Sequence, residues 1–281
     1  MRFIRRLTGK ARRLRYRLLI WRQPNLDATL AEQKKTEAQS FTYDVTIVAH
    51  LYYLDSASEI LQAIRSFKYE SGLNTQVLLT TSHELESQVS KLNTRFNTGA
   101  QVYAFDNQGR DVFPFVNLAQ KKLLSESALV LKIHTKHPRN LPTGSVLDHS
   151  LALRLLAPEL GIKLRHLSAT QEFFTTEKNF CLDTNYLGAN LNQIKSLAQD
   201  VGIDNLPSDF TFPAGTMFWA TPSIVEKISQ LNLSVNEFST EPSPADGTVS
   251  HAVERLVGVI ASVVGAGVVA IEDLNFQSAT K

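Results

Sequence analysis

The chain has 281 residues and a mass of 31.3 kDa, with 43% hydrophobic and 20% charged residues, 13 Gly and 10 Pro. That length fits one large domain or two small ones, and the composition excludes wholesale disorder and collagen-like repeats. A single cysteine, Cys181, excludes an intramolecular disulfide framework and any Cys-rich zinc module. It fits a reducing compartment, with a disulfide-free periplasmic protein as the alternative.

The net charge of +2 hides an asymmetry. Residues 1–22 carry nine Lys or Arg and no acid, which leaves 20 bases against 27 acids in the rest. Ile4, Leu7, Ala11, Leu14, Leu18 and Trp21 recur at helical spacing, and Pro24 gives a stop. The pattern predicts a basic amphipathic helix that lies on an anionic membrane surface, each base contributing about 1 kcal/mol before screening. A solvated extension, a helix docked on the acidic body and a nucleic-acid arm are the alternatives; no nucleic-acid-binding motif accompanies the arm, so nucleic acid is not expected as a partner. Arginines interrupt every candidate apolar core, which argues against a secretory signal.

Residues 23–43 are polar and read as a linker or surface helix, and a single domain is expected over 44–281. From Val45 a regular alternation begins. Strands are predicted at Val45–Leu51, Thr75–Thr81, Gln101–Phe105 and Ala128–His134. Helices are predicted between them at Ser56–Phe67, Glu84–Leu92 and Val112–Leu124. Such alternation means βαβ units and a mostly parallel sheet flanked by helices, an α/β fold. Residues 137–145 read as a loop, and helices are expected over 146–157 and 190–199. Phe210–Trp219 reads as a strand bent at Pro213-Ala214-Gly215, and residues 241–247 as a turn into a helix over 247–263. The uncharged run Leu256–Ile271 contains three glycines and is shorter than the roughly 20 residues that span a bilayer. A helix end, a Gly turn and a core strand explain it better.

Ligands of parallel α/β sheets bind beyond the C-terminal strand ends. His50, Tyr52 and Tyr53 follow the first strand, Thr80 closes the second, and Asn107, Gly109, Arg110 and Asp111 follow the third. The fourth ends in Lys132-Ile133-His134-Thr135-Lys136. An aromatic can stack on a base, a carboxylate can take ribose hydroxyls and cations can take phosphates, so the set suits a nucleotide. Alternation puts Lys132, His134 and Lys136 on one face, where a pyrophosphate would relieve their mutual repulsion. A solvated basic strand end is the plain alternative. Gly109 at positive φ and Asp111 as a helix cap are the plain reading of the third loop. P-loop, nucleophile-elbow, paired-Cys and His-Glu-x-x-His patterns do not occur, nor does any Asp-x-Asp pair.

His50-Leu-Tyr-Tyr53, Asn107-x-Gly-Arg-Asp-x-x-Pro-Phe115, Lys132-Ile-His-Thr-Lys136, Pro213-Ala-Gly-Thr-Met-Phe-Trp219 and Asp246-Gly-Thr-x-x-His-Ala-x-Glu-Arg255 occur in this order. Together they resemble the rhamnan synthesis protein F family of bacterial polysaccharide-assembly glycosyltransferases, over about residues 44–260. The resemblance implies a glycosyltransferase of GT-A type that uses a nucleotide sugar, with L-rhamnose the family's namesake, and a glycan or lipid-linked acceptor. It implies a place at the cytoplasmic face of the cell membrane.

A GT-A enzyme usually holds a divalent metal on the diphosphate with an Asp-x-Asp pair. Here the corresponding strand ends in Lys132, His134 and Lys136, which with Arg110 are expected to replace the metal. A manganese or magnesium ion at Asp106 or Asp111 is the competing reading. Glycosyl transfer also needs a base near the acceptor hydroxyl. Asp246 is the first choice, followed by Glu254, His251 and Asp111. Gly215, Thr216, Trp219 and Arg255 are expected on the acceptor side. The alternative function is a non-catalytic nucleotide- or glycan-binding module that partners a larger transferase.

Overall fold

The computed structural model describes residues 41–274 except 138, 141, 143 and 145. The basic arm 1–22, nearly all of the linker 23–43 and the last residues of the chain lie outside the described residues.

The first half is a run of βα units. Strand β1 (Val45–His50) is buried along its whole length and leads into α1 (Leu54–Glu70), whose Ala57, Ile60, Leu61, Ile64 and Phe67 form the buried stripe. Then follow β2 (Thr75–Ser82), α2 (Glu86–Phe96), β3 (Gln101–Phe105), α3 (Val112–Gln120) and β4 (Val130–His134). Helix α2 ends on Asn97 in the left-handed conformation, a residue type that tolerates it. Each strand and helix of this half lies where the hydrophobic periodicity predicts it, within a few residues.

The second half departs more. Residues 139–147 form a small hairpin of β5 (Arg139–Asn140) and β6 (Val146–Leu147). The helix expected over 146–157 is instead the short α4 (Ser150–Leu155), followed by α5 (Pro158–Leu167). The Asp148 carboxylate accepts the Ser150 N–H at 3.0 Å and so fixes the start of α4. Pro158 cannot sit inside a helix, so it opens the next one in its first turn. Strand β7 (Phe173–Thr176) and the short β8 (Cys181–Asp183) come next, then α6 (Leu191–Asp200), close to its expected place.

Phe210–Trp219 is two strands in different sheets. Strand β9 (Thr211–Pro213) pairs with β8, while β10 (Phe218–Ala220) enters the main sheet. Gly215 and Thr216, both at positive φ (76° and 57°), turn the chain between them. Helix α7 (Pro222–Ser229), helix α8 (Val249–Val263) and strand β11 (Gly267–Ala270) complete the fold. The Gly-rich apolar run is thus a helix end, a turn at Gly265 and a strand. Among the described residues no helix is long and apolar enough to cross a membrane.

The seven-stranded sheet has the order β11-β7-β10-β4-β1-β2-β3. Every pairing is parallel except the two made by β10, which runs against β4 and β7. Alternation divides the core between the two faces. Ile47, Leu131, Phe173 and Trp219 pack with α1, α2, α4 and α5. Val48, Val130, Phe174 and Phe218 pack with α3, α6, α7 and α8. On that second face α8 lies almost on the backbone of β9: a Cβ at Gly258 would stand 2.0 Å from the Thr211 carbonyl oxygen.

Candidate functional site

His50 and His134 are the last residues of adjacent parallel strands and stand opposite each other in register. The alternation that sends Val48 and Val130 into the α3/α8 layer sends His50, Lys132 and His134 the same way. Lys132 is 2% exposed. Its ammonium donates to the Asp111 carboxylate and, at 3.0 Å each, to the backbone oxygen and hydroxyl of Thr216. The Thr216 hydroxyl in turn donates to Asp111 Oδ2 at 2.5 Å. Asp111 reaches this place as the residue before α3. Burial pushes its carboxyl up, but the charges of His134 and Lys132 and the hydrogen bonds from Lys132 and Thr216 outweigh it and hold it well below the usual range. Burial lowers the Lys132 ammonium against the pull of Asp111.

His134 Nε2 lies 2.7 Å from the Gly215 oxygen and Nδ1 3.0 Å from the Thr135 oxygen. His50 Nδ1 lies 3.0 Å from the Thr80 hydroxyl. Burial brings both histidines down to about 4, against the attraction of Asp111. The turn at Gly215-Thr216 is therefore gripped from below by Lys132 and His134. A β-branched residue at positive φ is strained, and strain of this kind persists only where the surroundings over-determine it.

The same turn is gripped from above. The Gly215 N–H donates to Glu254 Oε2 at 2.6 Å, and Arg255 Nη1 donates to Glu254 Oε1 at 2.9 Å. Burial raises the Glu254 carboxyl, opposed by Arg255, Lys136 and the Gly215 N–H. Arg255 Nη2 continues to Asp246 Oδ1 at 3.4 Å. Asp246 also accepts from the Asn190 amide at 2.7 Å and the Ala189 N–H at 3.3 Å. Burial works against it, but these bonds, that of Gly247 and the Arg255 charge hold it below the ordinary range. Its side chain stays 42% exposed. His251 pairs with the Thr248 hydroxyl at 2.7 Å. A hydrogen-bonded chain thus runs from Asp246 through Arg255 and Glu254 to Gly215-Thr216, and on to His134, Lys132 and Asp111.

Around this chain lies a rim. The backbone N–H groups of Tyr52 and Tyr53 both donate to the Thr135 hydroxyl at 2.9 Å, and Asn107 donates to the Tyr52 hydroxyl at 3.1 Å. The Tyr53 and His137 rings meet at a tilt of 48°, with centroids 4.0 Å apart. Lys136 is half-buried, near enough to His134 and Glu254 to act on both charges. Gly109 packs so closely on Phe238 that a Cβ there would clash, at 2.5 Å. Arg110 donates to Glu241 at 2.8 Å and to the Ser243 hydroxyl at 2.6 Å. It thereby ties the third strand-end loop to the turn that carries Asp246.

Most of the expected residues thus gather in one place, with changed roles for some. Lys132 and His134 spend their polar atoms inside the protein, Arg110 is engaged by Glu241 and Ser243, and Lys136 is half-buried near His134 and Glu254. Trp219, expected on the acceptor side, is a core residue instead. It is fully buried, with its ring 5.8 Å from that of Phe67 and its indole N–H on the Leu155 oxygen at 3.0 Å. One residue of slip along β10 decides this, because Phe218 faces the other layer. Sequence reasoning missed Thr135, Asn190, Glu241 and Gly188. Thr135 lay inside a motif already singled out, while Asn190 and Glu241 lay in segments read only as a helix and a turn and act through contacts distant in sequence.

The residues do not fit a divalent cation at Asp106 or Asp111. Asp111 already binds an ammonium, and Asp106 is 69% exposed, with His83 at 3.8 Å its only ionic neighbour among the described residues. Among the described residues no group of three or more His, Cys, Asp or Glu side chains is placed to hold a metal.

The model of the rhamnan synthesis protein F family matches residues 16–265. The chain belongs to that family. Membership associates it with polysaccharide assembly. It is 29% identical over 255 residues to uncharacterized protein WxcX of Xanthomonas campestris pv. campestris, strains B100 and ATCC 33913. The match covers 88% of this chain but 36% of WxcX, so the chain spans about a third of these relatives. Among solved structures it is similar to 4-diphosphocytidyl-2C-methyl-D-erythritol synthase from Anaerococcus prevotii, at 11% identity and a TM-score of 0.36, over 81% of this chain and 87% of that one.

Proposed function

We propose that this family member is a GT-A-like glycosyltransferase, within a domain spanning residues 44–281. It moves a sugar, with L-rhamnose the first candidate, from a nucleotide sugar to a cell-surface polysaccharide or lipid-linked precursor. One observation carries the reading: the strand-end residues and the late Asp-Gly-Thr segment are joined by one hydrogen-bonded chain through Gly215-Thr216. In this reading the strand ends form the donor half and the Asp-Gly-Thr segment the acceptor half, on either end of that chain. Asp246, ionised and half-exposed, takes the proton of the acceptor hydroxyl. The oxygen then attacks the anomeric carbon, and the glycosyl–phosphate bond breaks to release the nucleoside diphosphate. In this reading Lys136, helped by Arg110 although it is already paired with Glu241, stabilises the developing phosphate charge. Lys132 and His134 act through the turn, and Tyr52, Tyr53 and Asn107 border the nucleoside. Seating at the inner face of a membrane through residues 1–22 belongs to the same reading.

Neutralisation of Lys132 by Asp111 favours a second reading, a nucleotide- or glycan-binding module that partners a larger transferase. Turnover separates the two. Purified protein is melted against a panel of nucleoside diphosphates and nucleotide sugars, and the stabilising donor is then offered with acceptor. A ligand at 100 times its dissociation constant stabilises the fold by about 2.7 kcal/mol. Stabilisation with transfer supports the enzyme, while stabilisation without transfer or hydrolysis leaves the module. No response to any nucleotide rejects the donor site itself.

A further inference from the structure

We propose that Arg255 is the positioning residue of the acceptor half: its guanidinium sets the orientation of the Asp246 carboxylate relative to the turn at Gly215. This rests on the reading of Asp246 as the base.

Arg255 is 8% exposed and sits on α8 with its guanidinium carbon 5.2 Å from the centre of the Phe212 ring. Its donors are distributed over three segments of the chain. Nε reaches the Tyr186 oxygen at 3.3 Å, and Nη1 reaches the His251 oxygen and Glu254 Oε1 at 2.9 Å each. Nη2 reaches Asp246 Oδ1 at 3.4 Å. Because the guanidinium is planar, Nη1 and Nη2 are fixed relative to one another. Glu254 is in turn fixed by the Gly215 N–H. Asn190 and the Ala189 N–H also hold the Asp246 carboxylate, at 2.7 and 3.3 Å, and the link from that carboxylate to the turn runs through the guanidinium. An ammonium carries the same charge without the fork and cannot make that link.

The bond to Asp246 is long and half-exposed, so it contributes little to folding. Its consequence falls on geometry and charge at the carboxylate. The groups facing Asp246 are Arg255 and the neutral donors Asn190, Ala189 and Gly247. Those facing Glu254 are Arg255, Lys136, Asp111 and the Gly215 N–H. Arg255 is thus a cation common to both carboxylates.

The test uses the full chain and the variants Arg255→Lys and Arg255→Met. Carboxylate NMR, with the Asp246 signal assigned through Asp246→Asn, follows its titration. Arg255→Met is expected to move the Asp246 midpoint upward; an unchanged midpoint overturns the proposal. In transfer assays, Arg255→Lys is expected to lower kcat about tenfold or more, the scale of a misoriented group. Donor KM should stay within roughly twofold, because the donor half keeps its own contacts. A Lys variant that transfers like the wild type also overturns it, and it remains informative where the Met variant fails to fold. If the wild type transfers nothing, the enzyme reading fails, and the titration still decides whether Arg255 governs Asp246.

Discussion

The ammonium of Lys132 and the carboxylate of Asp111 meet inside the layer between the sheet and α3, with side chains only 3% and 12% exposed. The Phe115 ring lies 5.7 Å from the ammonium. Both charges have left water, and each is the other's main compensation. Truncating one partner strands the other, which typically costs about 3–5 kcal/mol, whereas replacing both with apolar groups is often close to neutral. Lys132→Met alone is therefore expected to lose on that order in denaturant unfolding. The double variant Lys132→Met with Asp111→Leu should recover much of the loss while freeing the Thr216 turn. A single variant as stable as the wild type would mean the pair is solvated.

Two glycines separate stability from geometry at the site. Gly188 has φ +58°, and a Cβ there would lie 2.0 Å from Asp246 Oδ2, a side-chain atom that can move. Gly188→Ala is expected to cost about 1 kcal/mol or somewhat more in stability, from left-handed backbone strain. It should displace Asp246 and abolish most transfer. Gly258→Ala puts its Cβ on the Thr211 carbonyl, a backbone atom in a paired strand. It is expected to cost roughly 1–3 kcal/mol or more, as overpacking does. Unfolding curves beside transfer rates check both. A Gly188→Ala variant that transfers like the wild type would contradict this division.

How much of this was legible depends on how local the cause is. The βα units of the first half follow from period, since apolar runs such as Val45–Leu51 and the stripe of α1 state their own structure. The pairing of Lys132 with Asp111 was not legible. Both residues were singled out, but alternation tells only which face Lys132 takes, not that Asp111, expected as a helix cap, makes no capping bond and turns to Lys132 and Thr216 instead. The same holds for Trp219, whose place in an aromatic-rich segment says nothing about which layer it enters. The split of Phe210–Trp219 between two sheets turns on Thr216 at positive φ, and no propensity announces a threonine there. Asn190 and Glu241 became part of the site only through contacts made more than fifty residues away in sequence.

Acid should weaken the fold before Asp111 protonates. His50 and His134 titrate near 4 in the folded chain because they are buried, against 6.5 when unfolded. Between those values the unfolded state binds more protons, so stability rises with pH and falls as pH drops from 6.5 toward 4. Each histidine adds up to about 1.4 kcal/mol per pH unit in that window. Glu254, raised by burial, pulls the other way above its ordinary 4.5. Asp111 contributes stability that is lost only below its unfolded 3.8, outside the window. Unfolding free energies measured from pH 7 to 4.5 should therefore decline, and His50→Gln should flatten the decline by one histidine's share. A flat profile in the wild type would show both rings protonated in the folded state.

Donor binding should not need a divalent cation. The end of β4 carries Lys132, His134 and Lys136, and the carboxylate bonded to it, Asp111, holds an ammonium. A cation approaching Asp111 would meet the Lys132 charge at close range, a repulsion that is strong where water is excluded. With the stabilising nucleotide in hand, its dissociation constant in excess chelator is expected to match that in millimolar manganese. Lys136→Met should weaken diphosphate binding in both conditions, by roughly the 1.5–3 kcal/mol of a hydrogen bond to a charged group. Asp106→Asn should change it in neither. Binding seen only with manganese, and lost in Asp106→Asn, would return the metal to the third strand end and remove the cationic strand from the donor site.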